Sequence, residues 1–373
     1  MLYLDNSATT QMLPEVKEAM IPYLLEEFGN PSSKYYNLAT KAKEATEDSR
    51  KYISALLGCD TDEVIFTSGA TESNNMIIKG IADFYGENNK HIVTSKIEHP
   101  AVIETCRYLE KKGFTITYLD VDANGLINLE ELRKILVHHP PLLVTIMWGN
   151  NEIGSLQPIK EISDLCFENN VFFHTDATQT VGKVPCDLSL LEGLQFLSCS
   201  AHKFHGPKGI GVSIIKKDKN NLKRKITPLL HGGGQESDYR SGTLPVHNIV
   251  GMGIAAKLAH SRIDDNINHL IRLEQYLIDI LKENFGEVLH INNNYLSKIP
   301  GIISVQFKGI NNEMLIKKLS DVVALSSGSA CSTSKPSHVL EAIGLDQKAI
   351  RSTIRFSLSP YIEIQDLNIF KEM

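Results

Sequence analysis

The sequence has no segment that resembles a secretion signal or a membrane span. The N-terminus, from Met1 to Asp5, lacks the basic stretch followed by an apolar stretch that marks a signal peptide. No apolar run approaches the ~18 residues that a membrane helix needs. Positively charged residues are also outnumbered: the sequence has 38 Lys and Arg but 44 Asp and Glu, which gives a net charge of -6. We therefore expect a cytoplasmic protein that binds neither nucleic acid nor a membrane directly.

Cysteines are few and dispersed along the chain. The six of them stand at positions 59, 106, 166, 186, 199 and 331, and no two form a C-x-x-C pair. This spacing argues against a disulfide framework and against a structural zinc site. We expect no metal site, and at most one cysteine with a functional role.

Signature motifs of several enzyme classes are missing as well. The glycine-rich segments at 69–71 and 206–211 match neither G-x-x-x-x-G-K-[ST] nor G-x-G-x-x-G, the phosphate-binding loop and the dinucleotide fingerprint. The segment His231-Gly-Gly-Gly234 resembles the oxyanion loop of some hydrolases, but no G-x-S-x-G follows a strand. A hydrolase of that type is therefore excluded.

Short apolar runs do alternate with helical patterns through the first two-thirds of the 373 residues. This rhythm predicts an α/β fold with a mostly parallel, mixed sheet covered by helices. The expected strands lie at 63–66, 91–94, 115–119, 142–147, 171–174, 194–199 and 211–215. From about Val250 a long amphipathic stretch leads to a smaller α+β unit. We predict a large domain over 14–255 and a small one over 256–373, joined by 1–13.

Polar segments follow five of these strands, at the points where the strands end. They lie at 67–75, 95–99, 148–154, 175–179 and 200–203. Because ligands of such sheets bind outside the carboxyl ends of the strands, we expect the five segments to line one crevice.

Lys203 stands out among these residues because it closely follows a buried strand. An ammonium in apolar surroundings is costly, and desolvation lowers its pKa and frees the amine as a nucleophile. In addition, Gly69, Ala70 and Thr71 begin a helix directly after a strand, which is a ready anion site. Taken singly, Lys203 reads as a surface lysine and Thr71 as a helix N-cap.

Asp176 and His99 follow two other strands. Alone, they read as a helix N-cap and a loop histidine. Together with Lys203 and the anion site, they are the parts that pyridoxal phosphate requires: a lysine that bonds to it, a helix N-terminus for the phosphate, a carboxylate for the ring nitrogen and a ring that stacks on it. The combination favours this cofactor.

The chain resembles the cysteine desulfurases of the NifS/IscS type, within the class V aminotransferases of pyridoxal-phosphate fold-type I. The resemblance covers nearly the whole chain. The motifs that carry it are Leu4-Asp-Asn-Ser-Ala-Thr-Thr10, Gly29-Asn-Pro-Ser-Ser33, Thr67-Ser-Gly-Ala-Thr-Glu-Ser73, Asn150-Asn-Glu-Ile-Gly154, Asp176-Ala-Thr-Gln179, Ser200-Ala-His-Lys203, His231-Gly-Gly-Gly-Gln-Glu236, Arg240-Ser-Gly-Thr243, Ser326-Ser-Gly-Ser-Ala-Cys331 and Ile354-Arg-Phe-Ser357.

The resemblance implies a role for each matching residue. Lys203 would bond to the cofactor, and His99 would stack on its ring and assist proton transfer. Asn151 would contact cofactor or substrate, and Arg355 would bind the substrate carboxylate. The remaining cofactor-binding residues would be Ala70 and Thr71, Ser200 and His202 for the phosphate, Asp176 for the ring nitrogen, Gln179 for the ring hydroxyl, and Thr243 for the phosphate of a neighbouring subunit. The last role implies a homodimer.

Cys331 is the residue that distinguishes a desulfurase from other relatives. The resemblance implies that its thiolate attacks the sulfur of an L-cysteine held on the cofactor, so that a persulfide and alanine result. It stands in a loop of small residues, and Gly328 would let this loop swing toward a sulfur-acceptor protein.

Three features differ from the family pattern, and two of them, the shorter loop and the missing tail, lie where acceptor proteins of the family usually dock. Tyr35 stands where a histidine usually follows the Asn-Pro-Ser-Ser motif, the segment after Cys331 is about two residues shorter than in long-loop members, and the chain ends at Met373, where relatives continue. Iron–sulfur assembly, tRNA thiolation and DNA phosphorothioation remain open as destinations of the sulfur. A selenocysteine lyase or another class V aminotransferase, and a scaffold that turns over only with an activator, remain as alternatives.

Overall fold

The computed structural model describes residues 1–292, 297–328 and 336–372. Its helices are α1 Pro14–Leu25, α2 Asn37–Leu57, α3 Ala70–Tyr85, α4 Pro100–Glu110, α5 Leu129–His138, α6 Ile159–Glu168, α7 Val246–Phe285, α8 Asn312–Leu319, α9 His338–Ala342 and α10 Gln347–Ile350. Its strands are β1 Leu2–Tyr3, β2 Val64–Thr67, β3 His91–Ser95, β4 Thr115–Leu119, β5 Leu143–Thr145, β6 Phe172–Asp176, β7 Phe196–Ser200, β8 Gly211–Ile215, β9 Leu289–Ile291, β10 Ile302–Phe307, β11 Val323–Ala324 and β12 Thr353–Ser357.

Seven strands form one sheet in the order β2-β8-β7-β6-β5-β3-β4. Strand β8 runs antiparallel to both of its neighbours, and the other pairs are parallel. The predicted mostly parallel, mixed sheet is therefore confirmed. The seven strands lie within one or two residues of their expected positions, although β5 is shorter than expected. They could be predicted because strands that are buried on both faces appear in the sequence as apolar runs.

Adjacent residues of the central strands pack on opposite sides of this sheet. Phe196 joins a hydrophobic cluster with helices α3 and α4, whereas Leu197 joins the larger cluster with α2, α6 and the first part of α7. Ile92 and Val93 divide in the same way. Since both faces are covered by helices, polar groups of the sheet gather at the strand ends.

A separate cluster lies around the last third of the chain. It joins the second half of α7 to the antiparallel sheet β12-β10-β9 and to the N-terminal Leu4. Strand β1 pairs in parallel with β11, with Leu2 opposite Val323, so the first residues lie against the C-terminal part. The expected domain limit at 255/256 falls inside the continuous helix α7, and the division into two domains stays a prediction.

The strand ends at Thr67, Ser95, Thr145, Asp176 and Ser200 share one edge of the large sheet, because β2, β3, β5, β6 and β7 point the same way. The first residue of β8, Gly211, lies at this edge between Thr67 and Ser200. None of the helices in the described ranges is long and apolar enough to cross a membrane.

Candidate active site

Lys203 lies at the centre of the crevice formed at this edge. It closes a short 3-10 turn, Ala201–Lys203, that directly follows β7. Its Nζ donates hydrogen bonds to the carbonyl oxygens of Ser7 at 2.6 Å and of Ala8 at 2.8 Å. Residues 7 and 8 of the N-terminal segment therefore contact the lysine directly.

Asp176 ends β6, which pairs with the strand that precedes Lys203, and it is buried. Its Oδ2 accepts a hydrogen bond from Asn74 Nδ2 at 2.7 Å, and its Oδ1 accepts one from the backbone N–H of Thr178 at 3.0 Å. Both donors are neutral, and in the described parts of the chain no Lys, Arg or His side chain forms an ion pair with this carboxylate. A buried carboxylate with a charge still to be matched suits a protonated ring nitrogen.

His99 is the N-cap of α4, and Pro100 follows it at the first helical position. Its Nδ1 accepts a hydrogen bond from Ala101 N–H at 3.1 Å, so in the neutral ring the proton is on Nε2. Burial lowers the pKa of His99, Asp176 opposes this change, and Lys203 adds to it. The ring is therefore neutral at pH 7 and presents an Nε2–H.

The start of α3 forms a cradle of backbone at the crevice. Gly69 precedes the helix with φ of 150°, and a Cβ added at Gly211 would lie 2.7 Å from Gly69 Cα. Only glycines allow β8 to approach the loop this closely. The helix leaves its first N–H groups, at Ala70 and Thr71, without intrahelical partners, and these groups favour an anion.

Of the two further residues expected at the phosphate, Ser200 lies beside this cradle and His202 contacts the N-terminal segment. Ser200 is buried, and its Oγ lies 3.5 Å from the position that a Cβ on Gly69 would take. His202 forms a hydrogen bond between its Nδ1 and Thr9 Oγ1 at 3.1 Å. Burial, and then Lys203 and Lys208, lower the pKa of His202 to about 4, so the ring is neutral unless an anion binds against it.

Gln179 follows β6 and is buried, and its Nε2 donates to the Ser7 carbonyl at 2.8 Å. It therefore shares an acceptor with Lys203, which brings both side chains to one point of the N-terminal segment. Thr243, in contrast, is exposed. It lies on a segment that Arg240 ties to Glu72 of α3, with Nε 2.8 Å from Oε1.

Arg355 lies on β12 and is only 2% exposed. Its Nη1 donates to the carbonyl oxygens of Asn151 at 2.9 Å and Gly328 at 3.2 Å, and its Nη2 donates to Asp5 Oδ1 at 2.6 Å. These bonds use three of its five N–H groups, and Nε has no hydrogen-bond partner in the described residues. One N–H of Nη2 and that of Nε remain for a carboxylate.

The structure thus brings Lys203, Asp176, His99, Gln179, Ser200 and His202 to one crevice. Sequence reasoning assigned no role to Asn74, to Asp5 or to Glu98. Asp5 lies inside a quoted motif and Asn74 directly follows one, but their partners are distant in sequence. Glu98 precedes His99 and is fully buried, and its Oε1 accepts hydrogen bonds from Ser95 Oγ and from Met147 N–H.

Cys331 lies outside the described residues. Of the other cysteines, Cys106, Cys166, Cys186 and Cys199 are buried and Cys59 is partly buried, and all five are free thiols. Burial raises the pKa of Cys59, Cys106 and Cys186 to about 12, and it raises the pKa of the other two as well. None of these five is therefore a thiolate near pH 7, as expected for cysteines without a nucleophilic role.

Fold and crevice together define an α/β enzyme of pyridoxal-phosphate fold-type I. The family model for the class-V aminotransferases matches residues 2–370, and the chain belongs to that family. Pyridoxal 5'-phosphate is therefore its cofactor. The donor set fits this group, because a lysine, a buried carboxylate without an ion-pair partner in the described residues and a helix N-terminus lie at the same edge of the sheet.

Individual relatives agree with the family. The chain is 46% identical over 364 residues to "Cysteine desulfurase IscS" of Buchnera aphidicola, covering 96% of this chain and 88% of that protein. It is 44% identical over 370 residues to "Cysteine desulfurase IscS" of Dictyoglomus turgidum, covering 98% and 92%. A solved structure described as a NifS-like protein superposes with a TM-score of 0.91 at 38% identity, over 100% of this chain and 97% of that one.

Proposed function

We propose that this chain is an L-cysteine desulfurase. It converts L-cysteine and the thiol of Cys331 into L-alanine and a Cys331 persulfide. The carbon–sulfur bond of cysteine breaks, a sulfur–sulfur bond forms, and a proton replaces sulfur on the substrate carbon. The observation that carries the proposal is that one N-terminal segment contacts both Lys203 and Arg355, which keeps two N–H groups for a carboxylate, in a chain whose closely similar relatives are named cysteine desulfurases.

The crevice residues divide the work of holding the cofactor. Lys203 would bond to it, Asp176 would keep its ring nitrogen protonated, and Gln179 would face the ring hydroxyl. Ala70, Thr71, Ser200 and His202 would hold the phosphate at the start of α3. When bound, the cofactor supplies an electron sink that weakens bonds at the substrate α-carbon and its neighbour.

Arg355 and His99 then act on the substrate. The N–H groups that Arg355 keeps free would bind the α-carboxylate in a charge-assisted pair, with Asn151 beside it. The neutral ring of His99 would stack on the cofactor and hold or give up a proton at Nε2. Because Asp5 and the carbonyl oxygens of Asn151 and Gly328 hold the guanidinium, the substrate would bind in one orientation.

The residues on either side of Cys331 support its role. The Gly328 carbonyl bonds to Arg355, and Ser337 Oγ donates to Glu152 Oε2 at 2.6 Å. A Cβ at Gly328 would lie 2.8 Å from the same Glu152 oxygen. The described residues nearest to Cys331 in the sequence therefore contact Arg355 and Glu152.

The proposal extends to partners. We propose a homodimer in which Thr243 reaches the phosphate of the neighbouring subunit, and a sulfur-acceptor protein that takes the persulfide for iron–sulfur assembly, tRNA thiolation or DNA phosphorothioation. We also propose a cytoplasmic location, which the five free cysteines of the described residues support, because a reducing compartment keeps such thiols unpaired. Light scattering tests the dimer, and capture of proteins bound to the trapped persulfide tests the acceptor.

The test of the activity uses purified protein loaded with cofactor. Cys331→Ser should keep the visible absorbance of the bound cofactor but form neither persulfide nor sulfide from L-cysteine and dithiothreitol. Lys203→Ala should lose the covalently bound cofactor. Cys59→Ser, which changes the most accessible of the other described cysteines, should turn over as wild type does. Sulfide production at the wild-type rate by Cys331→Ser would overturn the proposal.

A further inference from the structure

Lys183 is a partly buried lysine near the crevice to which the proposed chemistry assigns no role. It stands four residues after Gln179, and its Nζ donates a hydrogen bond to Gln179 Oε1 at 2.8 Å. No carboxylate lies within ion-pair distance of it in the described residues. A desolvated ammonium without a counterion is costly, so its retention calls for an explanation.

The amide of Gln179 lies between two partners that differ in chemistry. A charged lysine nitrogen only donates hydrogen bonds, and the Ser7 carbonyl only accepts them. Oε1 must therefore face Lys183, and Nε2 must face Ser7, and each is 2.8 Å from its partner. The opposite orientation would bring two acceptors together at Ser7 and two donors together at Lys183.

One N–H of Gln179 stays available in this arrangement. The NH2 group has two hydrogens, and Ser7 takes one of them. The same carbonyl accepts from Lys203 Nζ at 2.6 Å, so this amide lies next to the lysine that would bond to the cofactor. The second N–H is then the group that can meet an oxygen on the cofactor ring.

We propose that Lys183 is a positioning residue that holds the Gln179 amide with its NH2 group toward the crevice, where it donates to the ring oxygen of the cofactor. The role rests on the proposed function, because it requires the cofactor ring beside Gln179. Lys183 acts through Gln179 and touches neither substrate nor cofactor.

The charges around Lys183 agree with this role. Burial, and then Lys203 and Arg355, lower the pKa of Lys183 to about 7, and Lys183 in turn lowers the pKa of His202 and His205. No acidic group contributes to these changes for Lys183. A neutral amine still has N–H groups to donate, while Ser7 still accepts, so the amide keeps its orientation in both protonation states.

The experiment follows the visible absorbance of the bound cofactor through a pH titration of the holoenzyme. Lys183→Met removes the donor at similar size. Without a fixed N–H, the ring oxygen loses a charge-assisted hydrogen bond, and the apparent pKa of the spectral change should rise by about one unit or more. Gln179→Ala should shift this pKa in the same direction.

A double-variant cycle separates positioning from a general effect of charge. Lys183→Met should cause no further shift when Gln179 is already alanine, because the two residues act as a unit. An equal shift with and without Gln179, or a wild-type titration of Lys183→Met, would overturn the proposal. Lys216→Met is the matched control, since Lys216 is also a partly buried lysine but donates to Leu188 and Leu191 carbonyls.

Lys183→Arg supplies the remaining evidence. Arginine keeps N–H donors, and Lys183 lines a pocket of about 40 Å³. In Lys183→Arg, the apparent pKa of the spectral change should equal that of wild type. A rise in this pKa as large as that of Gln179→Ala would overturn the proposed role of Lys183. This test remains possible if Lys183→Met does not fold. A wild-type protein without any cofactor band would instead refute the proposed function.

Discussion

The ion pair between Arg50 and Glu236 joins α2 to the segment that carries Thr243. Nη2 lies 2.8 Å from Oε1 and Nη1 lies 3.1 Å from Oε2, so the pair is bidentate. The two residues are 9% and 8% exposed. Glu236 Oε2 also accepts from Phe66 N–H at 2.7 Å, within the strand that leads into the phosphate cradle. Glu236→Ala would therefore leave Phe66 N–H without its acceptor, and would leave the buried guanidinium with only the Val64 carbonyl and the more exposed Glu47.

The expected loss is large for a single side chain. Removing one partner of a buried pair costs about 3–5 kcal/mol, because the other charge stays buried without compensation. The unfolding entropy of about 2.1 cal/mol/K per residue gives about 0.8 kcal/mol/K for a chain of this length. We therefore expect Glu236→Ala to lower the Tm by about 4–6 °C.

Calorimetry of the purified holoenzyme measures this change against an exposed pair. Lys160 and Asp164 lie 2.5 Å apart on α6, with side chains 58% and 48% exposed. Such surface pairs contribute about 0.5 kcal/mol or less, so Lys160→Ala should move the Tm by less than about 1 °C. A Glu236→Ala protein that melts with wild type, or a Lys160→Ala protein that loses as much, would refute the reasoning.

Two further predictions concern Glu98 and Arg355. Burial raises the pKa of Glu98 to about 8, above its unfolded value, so its stabilisation is complete below about pH 4 and is lost as pH rises through 8. Relative to Glu98→Gln, wild type should lose about 1.4 kcal/mol per pH unit between pH 5 and 8, and parallel melting curves would contradict this. Arg355→Lys removes the planar pair of N–H groups that binds a carboxylate, so KM for L-cysteine should rise about 10- to 100-fold, whereas Arg262→Lys, at a partly exposed arginine that pairs with Glu15, should leave KM unchanged. An unaltered KM would argue against the assigned role of Arg355.

Much of the fold could be predicted because the central strands are apolar on both faces. The mostly apolar composition of runs such as those around Leu143–Thr145 and Phe196–Ser200 is enough to predict buried strands there. The antiparallel direction of Gly211–Ile215 could not be assigned, because it depends on pairing with Val64–Thr67 far back in the chain. The local pattern of apolar residues does not indicate which distant strand will pair with it.

The same reason separates the site residues that were predicted from those that were not. Asp176 ends a strand and Lys203 and His99 closely follow strands, so the rule that ligands bind at strand ends predicted that they lie together. Asn74, Asp5 and Lys183 have roles only through their contacts, which are with Asp176, Arg355 and Gln179. Their residue types have no special meaning until the fold shows these partners.

The N-terminal segment 5–8 is where these contacts meet. Asp5 bonds to Arg355, Ser7 N–H donates to Ser357 Oγ, and the carbonyl oxygens of Ser7 and Ala8 accept from Lys203. One short stretch therefore holds both the lysine of the large sheet and the arginine of the C-terminal strand. The proposed site needs Lys203 and Arg355 at a fixed separation. Residues 5–8 contact both side chains, although they are far from both in the sequence. This explains why a motif far from Lys203 and Arg355 in the chain belongs to the same site.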